Sequence, residues 1–168
     1  SSLSADGRYL AFDSSASNLV KHDTNGVNDA FVWDRATGKI RIVSVSSAEA
    51  RGDNGGYAPT ISAGGRYVAF TSGSTNLVGG DTNGYDDVFL RDRTLNQTTM
   101  VSIGTGGIQA DWGSSRSMVN ASGSRIVFDS QASTFTPGDP TIAWDIFIRD
   151  PQAGTTDLVS DPQGMGSS

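Results

Sequence analysis

The chain repeats one pattern at a fixed interval of 58 residues, three times in succession. The segment SADGRYLAF at residues 4–12 returns as SAGGRYVAF at residues 62–70 and, less closely, as NASGSRIVF at residues 120–128. A Val-Ser pair closes each copy at the same interval, at residues 43–44, 101–102 and 159–160. A period of this length indicates one supersecondary unit used three times. The sequence therefore predicts three structural units, at residues 1–58, 59–116 and 117–168.

Each unit contains four short segments with the composition of β-strands. In the second copy they are residues 59–62, 66–70, 87–92 and 97–102. No segment shows the apolar spacing of an amphipathic helix, and 17 of the 18 acidic residues are Asp, which favours turns over helix interiors. Asp6-Gly7 and Gly64-Gly65 are typical of two-residue hairpin turns in which both central residues have positive φ. The sequence therefore predicts an all-β fold with four antiparallel strands per unit.

A single four-stranded sheet that is apolar on both faces cannot bury itself, so the three predicted sheets must pack on one another. Stacking around a common axis is the arrangement of a β-propeller. The segment at residues 4–12, followed by DAFVWDRATG at residues 29–38, resembles the PD40 (WD40-like) repeats of the TolB-type propeller family. The resemblance covers all three units and is weaker in the third, where Asn120 and Ser122 replace Ser and Asp. It implies a fold, often with six blades, whose members include binding platforms and non-catalytic domains of hydrolases.

Three blades are fewer than the roughly four to eight that close a propeller. We expect half of a six-bladed ring, closed either by a second copy in a homodimer or by the remaining blades of a longer chain. The chain begins at Ser1 without Met, so a processed product or a fragment is expected. Trp33 and Trp144 stand where the other copies have Arg, Asn or Asp. Each tryptophan indicates either that its position contacts a different neighbour than in the other copies, or that its ring covers the end of a strand.

Two loops with matching oxygen-bearing side chains are candidates for a calcium site. They read DTNGVND at residues 23–29 and DTNGYDD at residues 81–87, and the candidate ligands are Asp23, Asn25, Asp29, Asp81, Asn83 and Asp87. Calcium takes about six to eight oxygen ligands, including backbone carbonyls and waters. The same residues equally suit Asx turns in which Gly supplies a positive φ. The third copy, which begins at Asp139, has lost Asn and Gly, so an ion site there is expected to be absent or poorer.

The composition argues against several classes of function. The net charge is −6 without a basic cluster, which argues against nucleic acid as a partner. The absence of Cys excludes disulfides, thiol catalysis and Cys-ligated zinc, and no apolar run is long enough to insert into a membrane. His22 is the only histidine and has no counterpart in the other copies, so we interpret it as a solvated loop residue. The chain is therefore predicted not to be an enzyme.

The sequence predicts a non-catalytic propeller module that assembles into a ring and serves as a scaffold for a protein or glycan ligand. Tyr57 and Trp112 lie in Gly-rich connections, where an aromatic ring can stack on a sugar. The alternative is a propeller enzyme, or an accessory domain of a hydrolase or lyase, whose catalytic residues lie outside this chain. The family resemblance and the richness in Ser, Thr and Gly suggest an extracellular or periplasmic location.

Overall fold

The computed structural model describes residues 1–135 and 143–160, and all of its regular elements are β-strands. They are β1 (Ser2–Leu3), β2 (Tyr9–Ser14), β3 (Asp29–Asp34), β4 (Lys39–Ile42), β5 (Tyr57–Ile61), β6 (Tyr67–Ser72), β7 (Asp87–Asp92), β8 (Gln97–Met100), β9 (Ser114–Val119), β10 (Ile126–Ser130), β11 (Asp145–Asp150) and β12 (Thr155–Leu158). They form three four-stranded antiparallel sheets, each in chain order. The predicted all-β fold with four strands per blade is confirmed. In the described ranges, no helix is long and apolar enough to cross a membrane.

The hydrophobic core lies between neighbouring blades rather than within one blade. One cluster joins Val32 and Ala11 of blade 1 to Val68 and Phe70 of blade 2, and a second cluster joins blade 2 to blade 3 in the same way. Each blade also carries a stacked Phe pair across its two central strands: Phe12–Phe31, Phe70–Phe89 and Phe128–Phe147, with ring centroids 5.6–5.8 Å apart. Five of these six rings are fully buried, whereas Phe12 of blade 1 is partly exposed. Blade 1 thus has an outer face that no blade of the described chain covers.

The first hairpin of each blade differs from the predicted turn. Gly7 has a φ of 67°, but Asp6 has no positive φ, so the expected two-residue turn with two positive φ values was wrong. Instead, the amide of Gly7 donates to the carbonyl of Ser4 at 2.9 Å. The Ser4 hydroxyl donates to the Asp6 carboxylate at 2.7 Å, and the same carboxylate oxygen accepts the Arg8 amide at 3.0 Å. These side-chain bonds stabilise a wider turn in which only the glycine needs the left-handed region.

One face of the blades collects the loops that carry the candidate residues. Strands one and three of an antiparallel sheet run in the same direction, so they begin at the same edge. The loops before β3 and β7 therefore emerge beside the connectors that lead into β5 and β9. We call this side, where β3, β5, β7, β9 and β11 begin, the loop face. The first strands lie near the propeller axis, since β5 contacts both β1 and β9.

Candidate binding surfaces

A tyrosine of each of the first two blades covers the turn glycine of the next blade. A Cβ atom on Gly65 would lie 2.1 Å from the ring of Tyr9, and one on Gly123 would lie 2.4 Å from the ring of Tyr67. Gly7 adopts the same conformation, yet no described atom lies within 4 Å of where its Cβ would be. The same contact is therefore formed twice inside the chain, and its third counterpart on blade 1 is open.

An arginine completes the tyrosine contact between blades 1 and 2. The Arg93 guanidinium lies 4.7 Å from the centroid of the Tyr9 ring and donates to the Gly65 carbonyl, so one side chain joins two blades. Blade 3 carries Pro151 at the position of Arg93, so the contact between blades 2 and 3 lacks this guanidinium. Blade 3 also carries Arg125 at the position of Tyr67. It therefore cannot repeat the tyrosine contact with a further blade.

A second repeated contact fixes the segment that connects one blade to the next. In blade 2, Arg91 donates to the carbonyl of Ser46 at 3.1 Å, and the Thr98 hydroxyl donates to the carbonyl of Val45 at 2.5 Å. Arg91 also pairs with Glu49 of the same connector. In blade 3, Arg149 and Thr156 hold the carbonyl of Ile103 at 3.3 and 2.5 Å. We call each cross-strand pair, Arg91–Thr98 and Arg149–Thr156, a connector clamp.

Blade 1 has no connector clamp. At the matching positions it carries Trp33 and Ile40, which are cross-strand partners and are both partly exposed. This apolar pair lacks the guanidinium and hydroxyl donors that hold backbone carbonyls in the other two blades. Trp33 is recognisable in the sequence as a departure from the repeat, whereas Ile40 was missed. The signal was available, because Thr98 and Thr156 recur at the 58-residue interval and Ile40 breaks it.

The predicted calcium ligands of the first two loops make hydrogen bonds with one another. The Asn25 amide nitrogen donates to one carboxylate oxygen of Asp29 at 2.9 Å, and the Ser44 hydroxyl donates to the other at 2.7 Å. Asn83, Asp87 and Ser102 repeat this arrangement at 2.9 and 2.6 Å. In blade 3 the Ser160 hydroxyl donates to Asp145 at 2.6 Å. In each blade, the serine that follows the fourth strand donates to the aspartate that begins the third strand. We call this bond the Asp–Ser lock.

The loop itself is closed as an Asx turn. The Asn25 side-chain oxygen accepts the amide of Val27 at 3.3 Å, and the Asn83 oxygen accepts the amide of Tyr85 at 3.0 Å. The leading aspartates point to other partners. Asp23 lies 3.8 Å from the Arg51 guanidinium.

Asp81, the leading aspartate of the second loop, accepts the side-chain amide of Gln109 at 2.8 Å. In the part of the chain that the structure describes, no three His, Cys, Asp or Glu side chains are grouped to hold a metal ion. Asp139, which opens the third loop, lies outside the described residues. The structure thus places Asn25 with Asp29 and Asn83 with Asp87, and it places Asp23 and Asp81 with other partners.

Burial changes the acid–base behaviour of the lock in blade 2. Desolvation raises the pKa of Asp87 to about 6, although the hydrogen bonds from Ser102 and Asn83 favour the charged form. The side chain is fully inaccessible to solvent. Asp87 is therefore a buried structural carboxylate that titrates close to neutral pH.

Aromatic side chains line a pocket of about 570 Å³ on the loop face between blades 2 and 3. We call it the aromatic pocket, and its rings are those of Tyr57, Tyr85, Trp112 and Trp144. Tyr85 and Trp112 stack with ring centroids 5.3 Å apart and an interplanar angle of 30°. The Tyr57 hydroxyl donates to Asp86 at 2.7 Å, and burial together with this carboxylate raises the pKa of Tyr57. Three of these rings stand out separately in the sequence, and the structure brings them together with Tyr85.

Comparison with known proteins identifies the fold. No protein-family model matches the chain, and no curated protein sequence matches it. Among solved structures, TolB from Acinetobacter baumannii superposes with a TM-score of 0.56 at 17% identity, covering 94% of this chain and 31% of TolB. A putative TolB from Agrobacterium tumefaciens gives a TM-score of 0.56 at 13% identity, with 94% and 47% coverage.

The β-propeller domain of the Trilobed protease from Pyrococcus furiosus gives a TM-score of 0.58 at 11% identity, covering 97% of this chain and 42% of that one. The chain therefore spans less than half the length of each of these three structures. At such low identities the likeness establishes the fold alone. The chain has a TolB-like β-propeller fold, in the form of a partial propeller of three blades.

Proposed function

We propose that this chain is a non-catalytic part of a closed β-propeller ring that serves as a binding scaffold. The observation that carries the proposal is the open outer face of blade 1. The turn of Gly7 and the Trp33–Ile40 pair are uncovered there, whereas their counterparts in blades 2 and 3 are covered by the preceding blade or its connector. A sheet face built for stacking gains stability when another blade covers it.

A second copy of the chain is the neighbour that we propose for this face. Blade 3 of one chain would pack on blade 1 of the other, with two equivalent contacts and six blades in the ring. The missing connector clamp supports this arrangement. Inside the chain, the connector from one blade crosses the next blade and is held by its clamp. A blade from another chain has no connector to blade 1, so the apolar pair Trp33–Ile40 can stand at these positions instead of the polar clamp.

The remaining blades of a longer polypeptide are the other possible neighbour, and one observation favours them. Each internal contact places a tyrosine on the next turn glycine, but blade 3 offers Arg125 instead. A further blade with a tyrosine at this position would match the turn of Gly7 better than blade 3 does. The similar solved structures are also about twice as long as this chain or longer.

The mass of the particle in solution tests the choice between these neighbours. Light scattering on the purified chain is expected to give the mass of two chains, and dilution is expected to shift the particle toward the mass of one chain. A single-chain mass at high protein concentration would contradict the homodimer and leave the longer polypeptide as the source of the missing blades.

A domain that accompanies a hydrolase is the second candidate function. The likeness to the propeller domain of the Trilobed protease supports it.

Whether the chain is a binding scaffold or accompanies a hydrolase, the chain alone is expected to leave fluorogenic peptide and glycoside substrates unhydrolysed. Turnover that copurifies with the chain, and that a buffer blank lacks, would contradict the proposal that the chain is non-catalytic.

Calcium binding in the two Asp-Thr-Asn-Gly loops is a separate proposal, supported by their repeated oxygen side chains. The Asn25 and Asn83 amides would have to turn their oxygens toward the ion. Extracellular or periplasmic residence, which we also propose, suits weak sites, since extracellular modules bind calcium at roughly 0.1–1 mM. Thermal unfolding in about 5 mM calcium is expected to occur at a higher midpoint than in chelator. Equal midpoints would contradict calcium binding.

A further inference from the structure

We propose that the aromatic pocket between blades 2 and 3 binds a neutral saccharide. The inference rests on the binding-scaffold function proposed above and assigns it a ligand class. The rings are available for contact, because Tyr85, Trp112 and Trp144 remain 40%, 39% and 55% exposed. Large aromatic side chains left this open on one surface are typical of binding sites.

The propeller fold does not require these rings, as the repeat itself shows. At the matching junction between blades 1 and 2, the counterparts of Tyr85, Trp112 and Trp144 are Val27, Asn54 and Asp86. Three aromatic side chains therefore appear together at one junction and are absent from the other. Their shared location indicates a role that belongs to this junction.

The backbones of neighbouring blades approach equally closely at the two junctions. The amide of Gly56 donates to the carbonyl of Asn28 at 2.7 Å, and the amide of Ser114 donates to the carbonyl of Asp86 at 2.8 Å. The turn before this bond differs, because Gly55 has a φ of 66° whereas Gly113 has no positive φ. The pocket therefore follows from the side chains and the local turn at the junction of blades 2 and 3.

A β-bulge directs a guanidinium to the edge of the pocket. The pairing register shifts in β5 and β9, and Ala58 and Arg116 adopt φ values of 49° and 50° at equivalent positions. Bulges of this kind redirect a side chain. In blade 2 the redirected side chain is the methyl group of Ala58. In blade 3 it is the side chain of Arg116, which is 83% exposed and whose guanidinium lies 3.8 Å from Asp129. Arg116 thus adds a hydrogen-bond donor beside the rings.

The charges of the lining favour a neutral ligand. Among the residues that the structure describes, the lining has one carboxylate, Asp86, and one guanidinium, Arg116, so these charges balance and favour neither a phosphate nor a quaternary ammonium group. A pyranose ring combines an apolar C–H face, which packs on an exposed aromatic ring, with hydroxyls that bond to carboxylate and guanidinium groups. The volume of about 570 Å³ lies within the range of small-ligand sites and can hold a disaccharide.

Titration of the full chain with defined sugars tests this assignment. The probes are glucose, galactose, N-acetylglucosamine, cellobiose and chitobiose, each to about 50 mM, since weak sugar binding is expected in the millimolar range. The readout is the indole N–H resonance of each tryptophan. We expect at least one sugar to shift the Trp112 and Trp144 signals in a saturable way and to leave the Trp33 signal in place.

The repeat supplies substitutions that the fold already tolerates. Trp112→Asn installs the residue found at position 54, and the loss of one stacking partner is expected to weaken binding by about tenfold or more. Tyr85→Val, which installs the residue found at position 27, serves as a second variant if the first fails to fold by circular dichroism. Trp33→Arg is the matched control, and it is expected to keep full sugar affinity.

Three results would overturn the proposal. They are the absence of a saturable shift with every sugar, an affinity that Trp112→Asn and Tyr85→Val leave unchanged, and binding of a neutral proline-rich peptide at the same signals without any sugar response. These results are independent of the ring proposal, which the mass of the particle decides. A single-chain particle that binds sugar would contradict the homodimer and retain the saccharide site.

Discussion

At the scale of the residue, the Asp–Ser lock explains two landmarks of the repeat at once. Asp29 begins β3 and Ser44 follows β4, and the hydroxyl of Ser44 both donates to Asp29 and accepts the amide of Ala30 at 3.1 Å. Because the carboxylate is buried, losing either partner would leave a polar group unsatisfied. The lock therefore joins the third and fourth strands of a blade at the loop face.

In blade 2, we expect the Asp87 carboxyl of the lock to have a pKa close to neutral pH. The folded state raises the pKa of Asp87 to about 6 from the ordinary 3.8, so the folded chain binds this proton more tightly than the unfolded chain. The contribution of Asp87 to the free energy of unfolding is then greatest below about pH 4 and is lost as the pH rises through about 6. Carbon-detected NMR of the Asp87 carboxyl should give a midpoint near 6.

Removing a donor from this lock should move that midpoint in a known direction. Ser102→Ala deletes a hydrogen bond that favours the carboxylate, so the Asp87 pKa is expected to rise further. Ser160→Ala removes the equivalent hydroxyl from blade 3 and is expected to leave Asp87 unchanged. A midpoint near 4 in the wild-type chain would contradict the effect of burial.

At the scale of the element, each blade depends on its predecessor through a few polar contacts as well as through the shared core. The connector from blade 1 runs past the outer strand of blade 2, where Ser47 and Thr98 exchange hydrogen bonds at 2.9 and 3.3 Å. Thr105 and Thr156 repeat this exchange between blades 2 and 3. The connector is thus fixed as an added segment along β8 and β12.

The connector clamp predicts different effects for two neighbouring threonines. Thr98→Val keeps the shape of the side chain but leaves the carbonyl of buried Val45 without its hydroxyl donor, at a cost of about 1–3 kcal/mol. Thr99→Val changes an exposed residue of the same strand and should alter the free energy of unfolding by less than about 0.5 kcal/mol. Urea unfolding of both variants measures the difference. Equal effects would show that the clamp does not stabilise the blade.

At the scale of the whole molecule, we propose that the composition of blade 1 determines how a ring would close. The double change Trp33→Arg and Ile40→Thr installs the clamp residues of blades 2 and 3 in blade 1. In a homodimer these polar groups would replace an apolar contact, so the two-chain particle is expected to dissociate in light scattering. Trp144→Asn, which changes the aromatic pocket instead, should keep the two-chain mass. An unchanged mass in the double variant would contradict an interface at Trp33.

The predicted strands were close to the observed ones because they depend on local patterns. Residues 87–92 were predicted and observed as one strand, while β5 and β9 begin at Tyr57 and Ser114, ahead of the predicted unit boundaries at 59 and 117. The turn at Asp6-Gly7 was wrong in type, since hydrogen bonds from Ser4 and Asp6 outweighed the preference of the dipeptide. Sequence also could not show that Asn25 donates to Asp29, because the orientation of a side-chain amide depends on its folded partners.

The sequence by itself determined the repeated unit, the four strands of each blade and the propeller architecture. These follow from hydrophobic periodicity and from turn residues, which act over a few neighbouring positions. Only the tertiary structure decided which blade face stays open and that Tyr85, Trp112 and Trp144 share one pocket. Such features depend on how two blades are placed against each other, as in the bond from the Ser114 amide to the Asp86 carbonyl that brings β9 beside the loop before β7. Contacts between residues far apart in the chain set that placement, and a local pattern does not encode them.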